Sequence, residues 1–405
     1  MIRLAIFAKH PVYYQVPIFR EVHARSEQSR VRQTVLFGDD LSLREFQFSE
    51  ISNSFKPNVP DLLIGYAHRF LTNVSRDAKD GFLSRINPGI FQELAPHRYD
   101  VVLIHGYETL SAWMILLWAR LRGIQVAWRG EAIPRREKRT GWRSRLRAAS
   151  IRFFLSRCHA VFYSCSANRD FLAAHGVGRS RLHALACAVD NRFYQAEAQR
   201  WSPLREQTRR ELGLSLSDTV VLFSARFTSR KRPLDLIRAV AGLPVRSGLA
   251  LLFVGDGPER QRMAEACQLA GIPACFTGFV QPLDIGRYAA AADIFSVISD
   301  YDPSPKALNE AMNFSLPVVV SHDVGTAQDL VIEGVNGYTI QTGDLRSLGA
   351  HLLRLHRDPT LRKVMGEASL RIVSEFNFAA NAKAIESVAF ELTSRRRDVK
   401  QKAHT

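Results

Sequence analysis

The stretch DIFSVISDYDPSPKALNEAMNFSLPVVVS (293–321) reads as strand, loop, helix and strand in succession. The apolar runs DIFSVIS and PVVVS suit strands buried on both faces of a sheet. Between them Ser304 is a favourable helix N-cap, and Pro305 suits the first turn because its missing N–H costs no hydrogen bond there. Leu308, Ala311 and Met312 then supply an inner apolar face, so a helix is expected over about 305–314. A strand, a helix and a second strand in this order form the repeating unit of a parallel sheet.

The same alternation extends both ways along the chain. Upstream lie TVVLFSA (219–225), LALLFVG (249–255) and ACFTG (274–278), separated by helix patterns near 233–242, 259–270 and 283–291. The first half repeats the scheme with IRLAIFA (2–8), QTVLFG (33–38), VVLIHG (101–106), QVAWRG (125–130) and AVFYSC (160–165), and with helices over 16–25 and 109–122. The segments 344–357, 360–375 and 378–394 read as helices, and the basic tail beyond them as frayed. Two doubly wound α/β domains facing across a cleft are expected, joined within AVDNRFYQAEAQRWSPLRE (188–206), where polar residues and Pro203 break the pattern. The expected boundaries are 1–195, 196–378, and 379–405 for a last helix returning toward the first domain.

Composition narrows the classes of function. At 405 residues and 46% hydrophobic content the chain is globular and large enough for two cores. Its five cysteines include no C-x-x-C pair and no spacing suited to zinc, which fits a reduced, cytoplasmic setting. The longest apolar run, LSAWMILLWA (110–119), is too short to span a bilayer. The net charge of +16 is uneven: residues 1–200 hold 30 basic and 17 acidic residues, the remainder 25 and 22. Segment 129–157 alone carries ten basic residues and two acidic ones. Such a patch suits a solvated face, an anionic membrane surface, an anionic lipid-linked substrate or nucleic acid. No nucleic-acid recognition module is visible, and the segment's aromatics are few: Trp142, Phe153 and Phe154.

The chemistry gathers after the strands of the second half. In LFSARFTSRKRP a strand ends at Ala225 and Arg226, Arg230, Lys231 and Arg232 follow at once. Ligands of open parallel sheets bind beyond the carboxyl ends of strands, so Arg226 and Lys231 are placed to clamp a diphosphate. FVGDGPER (253–260) ends another strand in a turn bracketed by Gly255 and Gly257 around Asp256, which permits close backbone approach to a ligand. The N–H groups around Lys306 and Ala307, with the Lys306 charge, favour an anion. Asp302 and Glu310 flank that position, where carboxylates accept hydrogen bonds from hydroxyls on either side of a phosphate.

The order of these motifs, continued through TGF (277–279), PVVVSHDVGTAQDLV and EGVNGY, resembles the nucleotide-sugar domain of glycosyltransferase family 4, with the GT-B fold, over about residues 219–341. The resemblance implies a retaining, metal-independent transferase without cofactor, taking a nucleotide-diphosphate sugar as donor. It assigns Arg226 and Lys231 to the donor diphosphate, Glu310 to the ribose hydroxyls, and Asp302 to the hydroxyls of the transferred sugar. Three residues depart from the family's pattern: Asp302 replaces a longer Glu, and Pro305 and Ser315 each stand where glycine is common.

In the first half, AKHPVYYQVPIFREV (8–22), the region around VVLIHGYETLSAW and VDNRFY (189–194) look like one branch of that family. The resemblance places His105 beside the reacting sugar and His10 on the acceptor side. Arg129 and Glu131 of RGE either face the same cleft or form an ion pair. The implied acceptor is a glycan or lipid-linked hydroxyl in polysaccharide, lipopolysaccharide or glycolipid assembly, with the basic half touching an anionic membrane. A nucleotide-sugar epimerase or hydrolase on the same fold, and more distantly a nucleic-acid-binding protein, are the alternatives.

Overall fold

The structure is a computed structural model that describes residues 1–43, 46–47, 54–55, 61–75, 81–135, 141–244 and 248–402. The chain divides into two compact units, one of Met1–Phe46, Val59–Ala186 and Phe378–Thr405, the other of Gln47–Asn58 and Cys187–Asn377. In chain order the strands are β1 (Ile2–Ala8), β2 (Val31–Phe37), β3 (Phe46–Gln47), β4 (Ser54–Phe55), β5 (His68–Phe70), β6 (Val101–His105), β7 (Gln125–Arg129), β8 (Ala160–Tyr163) and β9 (Leu182–Ala184). They continue as β10 (Thr219–Ser224), β11 (Leu249–Val254), β12 (Ala274–Phe276), β13 (Ile294–Val297), β14 (Val318–Ser321) and β15 (Gly337–Ile340).

The first unit's sheet runs β5-β2-β1-β6-β7-β8-β9, all parallel. An inner strand, β1, shows why both faces must be covered: Leu4 and Ile6 enter one apolar cluster, Ala5 and Phe7 the other. The helix Phe378–Lys402 belongs to this unit. Its Ile385, Val388, Ala389 and Leu392 join the cluster holding Phe19 and Val22. Glu386 accepts two hydrogen bonds from Arg25, at 3.0 and 3.1 Å, and Asn381 donates to the Ala186 carbonyl at 2.9 Å. The helix runs well past the expected end at 394.

The second unit repeats the plan with the parallel order β12-β11-β10-β13-β14-β15. Val220 and Leu222 face one cluster, Val221 and Phe223 the other. The change of unit falls at Ala186–Cys187, about nine residues before the expected boundary at 195. The reason is local: Asn191–Trp201 is a helix, not a linker, and its Tyr194 lies in the second unit's core. Asn191 donates to the carbonyls of Val373 (3.0 Å) and Phe376 (3.2 Å) and accepts from Asn313 at 2.9 Å, which ties 187–195 to that unit.

The helix that opened the sequence reading spans Lys306–Met312, shorter than expected at both ends. Pro305 takes extended angles (ψ 110°) and stands at the N-cap, so Ser304 is one residue too early to cap the helix, and its buried Oγ has no hydrogen-bond partner. Beyond the other end Ser315 has φ +54°, a left-handed conformation that disfavours residues with a Cβ. Its carbonyl oxygen would lie 1.9 Å from a Cβ on Gly366, so the segment has little room to relax. Replacing Ser315 with glycine relieves the strain at some cost in unfolded-state entropy, a net gain of about 0.5–1 kcal/mol. The urea midpoint of S315G should therefore rise, and an unchanged or lower midpoint would mean that Ser315 makes a compensating contact.

Candidate functional site

In the second unit, strand order reverses between β10 and β13, and the loops leaving these neighbouring strands hold the predicted donor residues. Residues 230–232 are knitted to 300–302 by four contacts. The Arg230 carbonyl accepts from Asp300 N–H at 2.9 Å, and its guanidinium donates to the Tyr301 carbonyl. Lys231 pairs with the Asp302 carboxylate, and Arg232 donates to the Asp300 carboxylate at 2.8 Å. Lys231 and Asp302, assigned separately to diphosphate and sugar, are thus each other's partners. Both are largely buried, and the Asp302 backbone is further fixed by Gly325 N–H at 2.8 Å. Arg226 sits in the same loop, partly buried, its carbonyl accepting from Thr228 at 2.9 Å.

Glu310 lies inside the 306–312 helix, 9% exposed, and accepts a 3.0 Å hydrogen bond from the Tyr194 hydroxyl. Burial pushes its carboxyl up to about 7, against the opposing pull of the Tyr194 hydrogen bond and the Lys306 charge. Lys306 Nζ in turn donates to Cys187 Sγ at 3.1 Å. Ala307 is partly buried on the first turn of this helix. With only seven residues the helix contributes a modest dipole, and Lys306 on its first turn adds a positive charge that acts on Glu310.

The FVGDGPER turn packs closely on the protein's own backbone. A Cβ on Gly255 would meet the Ala225 carbonyl oxygen at 2.0 Å, and one on Gly257 would meet that of Phe227 at 2.5 Å. The close backbone approach is therefore to the protein's own 225–227 loop. Asp256 completes that contact: its carbonyl accepts from Phe227 N–H at 2.9 Å and its carboxylate from Gly257 N–H at 2.8 Å. Gly255 and Asp256 thus fix the loop that carries Arg226.

The first unit has its own reversal, between β1 and β6, and a pocket of about 200 Å³ opens there. His10 from the loop after β1, His105 at the end of β6, and Arg129 and Glu131 from the end of β7 all line it. His105, expected beside the reacting sugar, and the acceptor-side candidates His10, Arg129 and Glu131 are therefore neighbours. Arg129 donates to Glu131 at 3.2 Å, so the ion pair and the pocket position hold together. Two further residues join them without being foreseen: Lys9 and Glu108, paired at 3.3 Å. Each directly flanks or follows closely a predicted histidine, which is the signal that would have found them. Beneath the pocket Trp128 donates to the Gly106 carbonyl at 3.0 Å, and its ring leaves no space for a Cβ on Gly130.

Burial, helped by the Arg129 charge, pushes His105 down to about 3, so its ring is neutral at physiological pH. His10 is also lowered, again chiefly by burial. The Nδ1 atoms of both rings and the Arg129 Nε are buried without hydrogen-bond partners. Neutral imidazoles both donate and accept, which suits them to hydroxyl groups. Among the described residues no three His, Cys, Asp or Glu side chains gather into a metal-binding group. Of the basic segment 129–157, residues 136–140 lie outside the described residues.

Two parallel-sheet units, each with polar residues collected at its strand-order reversal, make this a doubly wound α/β protein. Residues 205–371 match the family of group 1 glycosyl transferases, and residues 63–188 match the glycosyl transferase 4-like domain. The chain belongs to the GT-B glycosyltransferases of the family 4 type. It is 25% identical over 169 residues to N-acetyl-alpha-D-glucosaminyl L-malate synthase of Bacillus anthracis, covering 42% of this chain and 44% of that one. It is 29% identical over 161 residues to the lipopolysaccharide core biosynthesis glycosyltransferase LpsE of Rhizobium meliloti, covering 39% and 46%. The chain thus spans about half the length of the curated relatives it matches. Anabaena HepE in complex with UDP shares the fold, with a TM-score of 0.72 at 17% identity over 96% of this chain and 100% of that one. A glycosyltransferase from Rickettsia africae does so with a TM-score of 0.73 at 13% identity, over 96% and 98%.

The raised Glu310 carboxyl makes a prediction about stability. Between the ordinary carboxyl value and about 7 the folded chain holds a proton that the unfolded chain has lost, so stability falls as pH rises through this window. Below the window the contribution is fully present; above it the loss is on the order of 3 kcal/mol. Glu310→Gln keeps the acceptor for Tyr194 and removes the titration. Calorimetry should find the variant close to the parent at pH 5 and more stable at pH 8; equal melting at both pH values would contradict the assignment.

Proposed function

We propose that the chain is a retaining glycosyltransferase that moves a sugar from a nucleotide-diphosphate donor to an acceptor hydroxyl. The observation that carries this reading is the cluster of Arg226, Lys231, Lys306, Asp302 and Glu310 at the reversal of the second sheet, where open parallel sheets bind phosphorylated ligands. Anabaena HepE, of the same fold, is solved with UDP and with UDP and glucose, which supports a nucleotide diphosphate as leaving group. Two relatives are named for lipopolysaccharide core biosynthesis, which supports lipopolysaccharide assembly within the wider setting of polysaccharide, lipopolysaccharide or glycolipid synthesis. Five free cysteines support a cytoplasmic place of action.

In this reading Arg226 and Lys231 hold the diphosphate, Lys306 adds charge at its side, Glu310 takes the ribose hydroxyls, and Asp302 takes the hydroxyls of the transferred sugar. Asp302 is one methylene shorter than the family's usual acid and is held close by Lys231, so it reaches less far toward the sugar. The bond from the anomeric carbon to the diphosphate breaks while the acceptor oxygen bonds to the same face. The acceptor's proton passes to the departing phosphate oxygen. Charge develops on the diphosphate, and fixed cations there lower the barrier most. The reading draws on no cofactor and no metal ion. The first unit's pocket, with neutral His10 and His105 and the Arg129–Glu131 pair, receives the hydroxyl-bearing substrate groups.

Ligand-observed NMR with UDP-, GDP- and ADP-sugars should find one base preferred, with binding lost in Glu310→Ala. Arg226→Ala should lower turnover about tenfold or more while the fold is retained. Lys231→Ala should do the same, with an added loss of stability because it leaves the Asp302 carboxylate buried and unpaired. Parental kinetics in Arg226→Ala would sink the diphosphate assignment. Free sugar or an epimer formed without acceptor would replace transfer by hydrolysis or epimerisation.

A further inference from the structure

Lys306, Asn309, Glu310 and Asn313, the polar side chains of residues 306–313, all bond to one other stretch of chain, 187–195. Lys306 donates to Cys187 Sγ at 3.1 Å, and Asn309 donates to the Cys187 carbonyl at 3.1 Å. The Tyr194 hydroxyl donates to Glu310 Oε1 at 3.0 Å. Just past the helix, Asn313 donates to Asn191 at 2.9 Å and accepts from Gln195 at 3.0 Å. The amide and thiol contacts fasten the helix as a body. Tyr194 does something more particular, because it reaches the acid itself.

Tyr194 is 4% exposed, and its ring joins the apolar cluster that also holds Leu308 and Met312. The Phe193 ring meets it edge-on with centroids 5.1 Å apart, and Asp190 caps its helix by accepting from Phe193 N–H at 3.1 Å. The hydroxyl therefore arrives at a fixed point. Packing accounts for the ring but not for the oxygen, since a phenylalanine would fill the same space and bury no polar atom. Glu310 lies at the opposite extreme of stiffness: its side chain has three rotatable bonds, and ordering it on binding costs free energy unless something holds it beforehand. Tyr194 holds Oε1, and among the described residues Oε2 accepts no hydrogen bond. A carboxylate so held keeps lone pairs on both oxygens for neighbouring hydroxyls.

We propose that Tyr194 is a positioning residue for the donor: its hydroxyl fixes the Glu310 carboxylate in the orientation that receives the two adjacent hydroxyls of the ribose. The inference rests on the donor assignment of Glu310 made above and adds the residue that makes this acid selective. The same hydrogen bond favours the charged carboxylate against the effect of burial, and the charged form is the one that accepts from both hydroxyls.

The test is calorimetric titration of the full chain with whichever of UDP, GDP and ADP binds the parent most tightly, and with the 2′,3′-dideoxy form of that nucleotide. The ratio of the two affinities reads ribose recognition apart from base and phosphate. Tyr194→Phe keeps the buried ring; it should bind the ribonucleotide about tenfold more weakly than the parent and the dideoxy form equally well. Glu310→Ala should lose the same preference. Gln195→Ala loosens the same helix contact without touching Glu310, and it should keep the parent's preference. Parental preference in Tyr194→Phe, with the preference lost in Glu310→Ala, would overturn the inference and leave the donor assignment standing. An equal loss in Gln195→Ala and Tyr194→Phe would also overturn it, since Tyr194 would then only support the helix. Unchanged preference in Glu310→Ala, or a parent that binds none of the three nucleotides, would remove the donor assignment and the inference with it.

Discussion

In each unit the strands are added outward from the centre in both directions, and everything chemical in this protein depends on that reversal. Where helices on either side of a central strand pack on opposite faces, the loops at the strand ends part and leave a crevice. In the second unit that crevice lies between β10 and β13 and receives the 226–232 and 300–310 segments. In the first it lies between β1 and β6 and receives His10 and His105. The sheet's demand for strands buried on both faces supplies the rigidity, since Phe7, Phe223 and Phe295 and their neighbours leave the strand ends almost no freedom.

Polar residues brought so near to one another must neutralise each other or stay uncharged, and the protein does both. Lys231 with Asp302, Lys9 with Glu108, and Arg129 with Glu131 are paired. Glu310 and His105 are instead shifted toward their neutral forms by burial. The same economy applies to backbone: the glycines of the 253–260 turn give their missing side chains to the loop bearing Arg226.

The alternation of apolar strands and helices was plain in the sequence because strands covered on both faces need uninterrupted apolar runs, as in IRLAIFA and TVVLFSA. The short strands β5, β9 and β15 carried no such run; HRF, LHA and GYTI are too brief and too polar to stand out. NRFYQAEAQRW read as a linker because its polar residues outnumber the few, such as Tyr194, that turn inward. At the site, residue types at strand ends were legible, but their pairing was not: Lys231 and Asp302 lie 71 positions apart, and only folding brings them together. Ser304 illustrates the limit of local rules, for a proline one residue later took the cap position with its own fixed geometry.

Under the proposed function the Lys231–Asp302 pair has a consequence for exchange. A lysine that already holds a carboxylate takes up an incoming anion by trading one partner for another, and the net gain is smaller than that of a bare cation. The same trade runs backwards when the anion leaves, since the carboxylate stands ready to take its place. A site built this way gives up some grip in return for turnover, acting as a hand that lets go as readily as it closes.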